Sequence, residues 1–300
     1  MRVDVAAVQM DCRLADTAAN LARIEELAVD ASARLDTLSD GAGPRGSGPG
    51  EAGAAAEAIA RLILFPECAT TGYFVGELAT KLAEPADGPI NLGLADLARR
   101  LGAHLAVGVL EVDGDDVYDA LALFSPSEGL LASYRKVHLF ASEKAVFAVG
   151  DQPCLVDTSF GQVGLTICYD LMFPEYVRGL VLSGAGLIIN ATDWITDPWQ
   201  TGLGWTGQNV RSLCQVRALE NGVHVAMADR VGEEAGFTSL GHSTIAGPTG
   251  AVVATLEDGE GIVVARLEDP TEDLERWRSY ATYLQDRQPE LYQRMGVGER

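Results

Sequence analysis

The sequence predicts an α/β fold in which helices cover mixed β-sheets. Three hundred residues, 47% of them hydrophobic, are enough to bury one large core. Apolar runs of strand length outnumber the segments with helical spacing, and the two types alternate near both ends of the chain. We therefore expect a mixed sandwich with helices packed on its sheets, built as a single domain over residues 1–300.

The chain opens with a strand followed by a helix. VDVAAVQ alternates as a strand does, and ADTAANLARIEELAVDASARL follows with apolar residues at helical spacing behind an aspartate cap. Residues 40–53 (DGAGPRGSGPGEAG) are rich in Gly and Pro without a period, which predicts a flexible surface insertion rather than a domain boundary. The strand IARLILF at 59–65 would then complete the first unit.

Further strands and helices follow to the end of the chain. Apolar runs predict strands at HLAVGVLEV, VYDALALFS, GLLASYRKVHLF and GQVGLTIC, then a helix through PEYVRGLVLSG and a strand at GLIINAT. A long helix at about 206–221 leads to the strand GVHVAMADRV and to shorter strands near STIAGP, AVVATLE and GIVVARL. A polar helical tail is expected over about 270–300, beginning near Glu272.

The charge argues against two classes of partner. Lys and Arg total 22 against 43 Asp and Glu, a net charge of −21 that would repel nucleic acid and anionic lipid surfaces. No apolar run approaches the ~20 residues of a membrane span, and the start MRVDVAAVQM lacks the pattern of a secretory signal. We therefore expect a cytoplasmic protein that binds neither nucleic acid nor membrane.

The cysteines and histidines indicate neither a disulfide framework nor a metal site. The five cysteines are widely spaced without a C-x-x-C pair, and the four histidines show no ligand spacing. TGLGWTG places Gly202, Gly204 and Gly207 at the spacing of a dinucleotide-binding loop, but DPWQ precedes it where a strand is required. We expect no metal and no cofactor, and we interpret this stretch as a loop near a pocket mouth.

One cysteine stands where it could act as a nucleophile. In GLTICYDLMFPE, Cys168 comes at the end of an apolar strand and before a helix whose positive end would lower the thiol pKa. Glu67 closes another strand in LILFPECATTGY, and Lys136 follows a third in LLASYRKVHLF. Because strand ends on one side of a sheet converge, an acid, an amine and a thiol could meet there. A structural role is the alternative for Cys168 and the expectation for Cys12, Cys68, Cys154 and Cys214.

Such a set of groups can hydrolyse an amide-like carbonyl compound. Glu67 would take the thiol proton and later deliver it to a leaving amine, while Cys168 attacks the carbonyl carbon. Lys136 and the backbone N–H of Tyr169 would hold the oxyanion. This chemistry requires no histidine.

At these residues the sequence resembles the nitrilase superfamily of carbon-nitrogen hydrolases, over almost its whole length. FPECATTGY, YRKVHLF and GLTICYDLMFPE match three family blocks in order and spacing, with Glu67, Lys136 and Cys168 in place. The resemblance continues into RALENGVHVAMADRVG, GHSTIAGPTGAVVA and DRQPELY. It implies a four-layer α-β-β-α sandwich and a Glu-Lys-Cys triad with a thioester intermediate. It also implies a homodimer whose C-terminal segment reaches across to the partner.

The resemblance further implies a second glutamate and a pocket built from loops. Glu143 in HLFASEKAVF falls at the place of that glutamate, where we expect it to hold the lysine and the substrate nitrogen; an exposed loop residue is the alternative. Aromatic residues after the strands predict a small pocket for an aliphatic or modest aromatic acyl group. The candidates for substrate contact, which could equally be core residues, are Tyr73, Tyr169, Phe173, Asp193 and Trp194.

The residues after the nucleophile bear on which bond is cleaved. Nitrile-cleaving relatives usually place Trp and Glu there, whereas Tyr169 and Asp170 follow Cys168 here, as in amidase and carbamoyl-amide branches. The resemblance therefore favours a small linear amide, with release of ammonia and a carboxylic acid. An N-carbamoyl amine or amino acid hydrolase is the second interpretation, and a nitrilase is the third.

Two other classes of protein stay open at this point. A Cys-His-acid hydrolase needs a G-x-C-x-G elbow, and Thr166 and Asp170 occupy its two glycine positions. A binding protein that kept the fold after losing activity would have no need of a thiol facing an acid and an amine. Both classes are less favoured than an amidase.

Overall fold

A computed structural model of the chain describes residues 1–40 and 59–296. In these residues a 14-stranded sheet is folded into two halves that pack face to face. The strands are β1 (Arg2–Asp11), β2 (Ala60–Leu64), β3 (His104–Asp113), β4 (Asp116–Ser125), β5 (Gly129–Arg135), β6 (Cys154–Thr158), β7 (Gly161–Ile167), β8 (Leu187–Thr192), β9 (Ile195–Thr196), β10 (His224–Glu234), β11 (Phe237–Leu240), β12 (Thr244–Ala246), β13 (Val252–Thr255) and β14 (Gly261–Glu268).

The helices cover the outer faces of the two halves. They are α1 (Thr17–Asp40), α2 (Ala79–Leu82), α3 (Pro89–Leu101), α4 (Pro174–Leu182), α5 (Pro198–Gly202), α6 (Gly207–Asn221), α7 (Glu272–Tyr280) and α8 (Pro289–Arg294). Helices α1 and α3 pack on the first half of the sheet, and α4 and α6 pack on the second. The predicted four-layer α-β-β-α sandwich is confirmed.

The strand directions bring several strand ends to one rim. The first half follows the order β5-β4-β3-β2-β1, with β14 beside β1, and β1, β2 and β3 run parallel. The second half follows β10-β8-β7-β6, in which β10, β8 and β7 are parallel. A short parallel pairing of β1 with β10 at Met10 and Arg230 joins the halves. The carboxyl ends of these parallel strands therefore face one another.

Strand β1 shows why both faces of the first half are apolar. Val3, Val5 and Ala7 point to the core between the halves, whereas Val8 and Met10 point to the core beneath α1 and α3. Side chains alternate between the two faces of a strand, so a strand covered on both sides needs apolar residues at successive positions.

The structure differs from the sequence-based prediction at several segments. Helix α3 was not predicted, although Pro89 starts it and Gly102 ends it with a left-handed φ of 60°. The strand expected through GLLASYRKVHLF ends at Arg135, and the residues that follow leave the sheet. The expected tail contains the short helices α7 and α8. The insertion expected at 40–53 lies outside the described residues, apart from the last residue of α1.

Spanning a membrane requires a helix that is both long and apolar. Across residues 1–40 and 59–296, no helix combines the length and the apolar character that spanning a membrane demands.

Candidate active site

Three reactive side chains follow the ends of three strands. Glu67 comes after β2, Lys136 directly after β5 and Cys168 directly after β7. Strand β5 runs in the direction of β3, because each is antiparallel to β4, so all three residues leave the sheet at the same rim. Glu67 and Lys136 are fully buried and Cys168 is 4% exposed. The acid and the amine meet, with Lys136 Nζ 2.5 Å from Glu67 Oε1.

Lys136 lies among three carboxyl groups rather than one. Its Nζ is also 2.8 Å from Glu143 Oε1 and 3.4 Å from Asp119 Oδ2. Oxygen atoms of the three acids lie within 4.8 Å of one another, a spacing that a cation can bridge, and the ammonium supplies that cation here. Glu143 is 3% exposed, so the exposed-loop alternative for it is wrong. Tyr73 donates its hydroxyl hydrogen to Glu143 Oε1.

The burial of these groups shifts their protonation. Burial raises the pKa of Glu67 well above its usual value. The Lys136 charge lowers this pKa, whereas the neighbouring carboxylates of Asp119 and Glu143 raise it further. Burial likewise raises the pKa of Asp119 to about 6. Burial alone would lower the pKa of Lys136, but the surrounding carboxylates raise it well above its usual value. The lysine therefore stays charged, and the raised pKa makes the Glu67 carboxylate a stronger base than an exposed glutamate.

The thiol of Cys168 sits on a strained turn. The residue has a φ of 41°, which only a few per cent of non-glycine residues adopt, and it starts a 3-10 turn, Cys168–Met172, that comes before α4. Burial, together with the charge of Glu67, raises the pKa of Cys168 well above its usual value. The expectation that a helix end would lower this pKa is wrong, because the helix proper begins only at Pro174 and desolvation dominates. This environment favours the protonated thiol over the thiolate.

Asp170 fixes the turn that carries the nucleophile. Its Oδ2 accepts hydrogen bonds from the Ile167 N–H at 2.8 Å and from the Tyr134 hydroxyl at 2.7 Å. Its Oδ1 lies 2.7 Å from His138 Nδ1. The Phe173 ring stacks on His138, with ring centroids 3.8 Å apart. His138 is thus held by Asp170, and no described contact joins it to the Cys168 thiol.

The main chain of Asp193 links the thiol to the acid. Its carbonyl oxygen lies 3.8 Å from Cys168 Sγ, and its N–H donates a 2.9 Å hydrogen bond to Glu67 Oε2. The Asp193 carboxylate points the other way, to Arg230 Nη1 at 2.9 Å and to Ser239 Oγ at 2.6 Å. Asp193 therefore reaches the site through its backbone, and its charge is neutralised elsewhere.

A cavity of about 180 Å³ lies beside the sulfur. Among the predicted contact residues Tyr169, Asp193 and Trp194 line it, whereas Tyr73 lies beside Glu143 and Phe173 is outside the lining. The full lining is Phe140, Cys168, Tyr169, Met172, Asp193, Trp194, Ile195, Gln200 and Trp205. Most of these side chains are apolar or aromatic, as is typical of a pocket for a small organic ligand.

Sequence reasoning missed several residues of this site. Asp119 is a single acid inside the apolar run VYDALALFS, and Arg230 is a base inside the largely apolar run GVHVAMADRV. An acid or a base interrupting an otherwise buried strand is the signal that could have found both, because buried charges need partners. Gln200 directly precedes the glycine-rich TGLGWTG stretch, which was expected near the pocket mouth, and Trp205 lies within it.

A sheet of this topology that carries a thiol, a carboxyl group and an ammonium group at one rim defines the class of carbon-nitrogen hydrolases. The chain matches the carbon-nitrogen hydrolase family over residues 4–279. The chain belongs to this family, within the nitrilase superfamily, as its sequence motifs predicted.

Relatives of this chain include nitrilases and amidases. A probable nitrilase of Schizosaccharomyces pombe is 34% identical over 241 residues, which cover 78% of this chain and 85% of that protein. An (R)-stereoselective amidase of Pseudomonas sp is 33% identical over 227 residues, covering 75% and 79% of the two chains.

A solved amidase has a similar structure over nearly the whole chain. A double mutant of the amidase from Nesterenkonia sp. AN1, in complex with acrylamide, has a TM-score of 0.76 and 27% identity, covering 98% of this chain and 97% of that one. In another structure of that amidase, with a TM-score of 0.73, the acetamide moiety of fluoroacetamide is covalently added at the active site cysteine. The family, the fold and the homologous amidases identify this chain as an enzyme of the carbon-nitrogen hydrolase class.

Proposed function

We propose that this chain is an amidase that hydrolyses small linear amides to ammonia and a carboxylic acid through a thioester on Cys168. The observation that carries the proposal is the placement of a buried thiol at the wall of a 180 Å³ cavity. The Asp193 peptide connects that thiol to Glu67, which in turn pairs with Lys136. The acetamide adduct on the cysteine of the Nesterenkonia amidase supports the same role for Cys168.

The reaction starts with formation of the thioester. Glu67 takes the thiol proton, and Cys168 Sγ forms a bond to the amide carbon while the carbonyl electron pair moves to oxygen. The Lys136 ammonium and the Tyr169 N–H stabilise the resulting oxyanion. When the carbonyl re-forms, the carbon-nitrogen bond breaks and the proton on Glu67 goes to the nitrogen, which leaves as ammonia.

Water completes the cycle by hydrolysing the thioester. Glu67 takes a proton from the attacking water, the carbon-sulfur bond breaks, and the proton returns to the thiolate. The raised pKa of Glu67 suits this double role, because it makes the carboxylate a stronger base toward the thiol and toward water than an exposed glutamate would be. Glu143 holds the other side of the Lys136 ammonium.

The lining of the cavity favours an uncharged acyl group. Asp193 is the one ionisable carboxylate among the lining residues, and its oxygens are occupied by Arg230 and Ser239. Phe140, Trp194 and Trp205 supply apolar surface instead. An amide whose acyl group carries a charge would lose the hydration of that charge in this cavity without gaining an ionic partner. Amides with neutral acyl groups should therefore react best.

A direct assay tests this proposal. Purified enzyme is incubated with propionamide, an N-carbamoyl amine and propionitrile, and released ammonia and carbon dioxide are both measured. We expect ammonia and propionic acid from propionamide, no turnover by C168A, and an acyl adduct on Cys168 by mass spectrometry of acid-quenched wild-type enzyme. Carbon dioxide from the carbamoyl compound without propionamide turnover would instead assign the N-carbamoyl hydrolase branch. Turnover of propionitrile alone would assign a nitrilase.

A further inference from the structure

Asp119 is a buried acid that the reaction described above does not use. It is fully buried in strand β4, and its Oδ2 lies 3.4 Å from Lys136 Nζ. Its other oxygen faces the thiol of Cys68 at 3.8 Å. The backbone also ties it to the site, since the Lys136 N–H donates a 2.9 Å hydrogen bond to the Asp119 carbonyl oxygen.

The site holds more negative charge than its one cation neutralises. Glu67, Asp119 and Glu143 surround Lys136, and all four side chains are buried. Three ionised carboxylates with one ammonium would leave two uncompensated charges in a dry environment, an arrangement that proteins avoid by taking up a proton. The cluster therefore favours protonation of one of its acids, so a proton released by the Cys168 thiol finds an acceptor there.

Hydrogen bonding indicates where that proton lies. Among the described residues, Asp119 Oδ2 has no hydrogen-bond donor, because its contact with Lys136 is long and poorly directed. Glu143 already accepts from Tyr73, Lys136 and the Phe140 N–H. In the part of the chain that the structure describes, Glu67 accepts from Lys136 and the Asp193 N–H alone, and one of its oxygens lies within 4.8 Å of an Asp119 oxygen, so it is the acid best placed to donate to Asp119 once protonated.

We propose, resting on the amidase function proposed above, that Asp119 is a positioning residue for Glu67: it accepts a hydrogen bond from the Glu67 carboxyl group when Glu67 holds the thiol proton. The proton moves from Cys168 Sγ to a Glu67 oxygen and remains there, hydrogen-bonded to Asp119, while the carbon-sulfur bond forms. It then passes to the leaving nitrogen. Asp119 itself exchanges no proton in the cycle.

The negative charge of Asp119 makes Glu67 a stronger base. Like charges disfavour ionisation, and Asp119 is one of the groups that raise the pKa of Glu67. The other groups that face this pair are Lys136 after β5, Glu143 in the 3-10 turn Ala141–Ala145, Cys68 after β2, and Cys168 after β7. Of these, Lys136 alone is a cation. Replacing Asp119 with a neutral residue removes one repelling negative charge and keeps that cation, so the ionised form of Glu67 becomes more favourable.

The test is the pH profile of kcat/KM for propionamide in wild type and Asp119→Asn. We expect the acidic limb of D119N to lie lower by about one pH unit or more, since the asparagine has no charge to repel the Glu67 carboxylate. We also expect the plateau to fall by about tenfold, because a weaker base removes the thiol proton less effectively. The two profiles should approach each other on the acidic side.

Glu111→Gln is the matched control. Glu111 is a buried acid on the neighbouring strand β3 that pairs with Arg135 and Ser133, away from Lys136. Its loss should lower the thermal midpoint and leave the acidic limb in place. A D119N enzyme with an unshifted limb and only a lowered thermal midpoint would overturn the proposal, because Asp119 would then be merely structural.

Infrared titration tests the same hydrogen bond without substrate and without D119N. As the pH is lowered, we expect a protonated carboxyl band to appear in unsubstituted enzyme, at the lowered frequency of a group hydrogen-bonded to a carboxylate, and we expect E67Q to lack it. A band at the frequency of a free carboxyl group, or one that E67Q retains, would overturn the proposal. If propionamide is not hydrolysed but this band behaves as expected, the amidase assignment fails and the Glu67–Asp119 pair stands.

Discussion

The Arg230 guanidinium forms a buried ion pair with the Asp193 carboxylate, with 2.9 Å between Nη1 and Oδ2 and each side chain 1% exposed. The same guanidinium contacts Glu234, whose Oε1 accepts the N–H groups of Tyr73 and Phe74. One arginine therefore holds both the peptide that joins Cys168 to Glu67 and the loop that carries Tyr73.

Replacing Arg230 should damage stability and activity together. Arg230→Met leaves the Asp193 and Glu234 carboxylates buried without their cation, which we expect to cost about 3–5 kcal/mol of unfolding free energy. Turnover should fall more than stability explains, because the Asp193 N–H loses its fixed position against Glu67. Denaturant unfolding and kcat below the thermal midpoint measure the two effects.

Arg2→Gln provides the comparison for an exposed ion pair. Arg2 pairs with Glu268 at 2.8 Å, but their side chains are 48% and 44% exposed. We expect a loss of about 0–1 kcal/mol and unchanged turnover. An Arg230→Met enzyme that behaved like this control would show that the buried pair does not position Asp193.

The pH dependence of labelling should report the state of the Cys168 thiol. Because burial raises the pKa of Cys168 above its usual value, the thiolate is a minor species at neutral pH in the absence of substrate. The rate of labelling by uncharged methyl methanethiosulfonate is followed at the Cys168 peptide by mass spectrometry. An ordinary thiol, with a pKa of about 8.5, reaches a constant rate above that pH, whereas the rate at Cys168 should still be rising there. A plateau already reached at pH 7 would instead reveal a preformed thiolate and remove the need for Glu67 as base.

The catalytic candidates were predictable because each comes at or shortly after the end of a strand. Glu67, Lys136 and Cys168 are polar residues at the ends of apolar runs, and parallel strand directions bring such ends together. The positions of Asp119 and Arg230 depend on the β4–β5 register and on the β1–β10 junction, which residue patterns do not encode. Their burial follows from the apolar runs around them, but the groups that they contact are visible only in three dimensions.

Other sequence-based expectations depend on features beyond local patterns. Phe173 follows the nucleophile turn as a pocket residue would, yet its ring faces His138 because Asp170 holds that histidine in place. Helix α3 begins at a proline and contains Gly93, two residues that weaken a helical pattern although the first turn tolerates proline. The homodimer and the cytoplasmic location stay predictions.

Met172 should control the length of the acyl group. It lines the cavity and is 42% exposed, so Met172→Ala enlarges the pocket with little effect on the core. We expect kcat/KM for hexanamide relative to propionamide to rise by about tenfold, as one to two methylene groups of new space permit. Leu203→Ala is the control, since Leu203 is 71% exposed and lies outside the cavity lining. An equal change in both variants would place the acyl group somewhere other than this cavity.

Gly108 of β3 lies against the backbone that presents Glu67. A β-carbon at this position would be 2.3 Å from the Pro66 carbonyl oxygen and 2.7 Å from the Glu67 Cα, both of them main-chain atoms. The Gly108 N–H also donates a 3.1 Å hydrogen bond to that Pro66 oxygen. Since a flexible side chain could move aside but this backbone cannot, Gly108→Ala must push the Glu67 loop away from the strand.

We expect Gly108→Ala to cost about 3 kcal/mol or more of unfolding free energy and to abolish measurable amide turnover, because Glu67 leaves its contact with Lys136. Gly93→Ala is the matched control, since Gly93 is exposed in helix α3 and an added β-carbon meets no atom within 4 Å. That change should instead stabilise the protein by about 0.5–1 kcal/mol through its helix propensity, with full activity. Urea unfolding and ammonia release on both variants make the comparison. Retained turnover in Gly108→Ala would mean that the Glu67 loop can shift without losing the geometry on which the reaction depends.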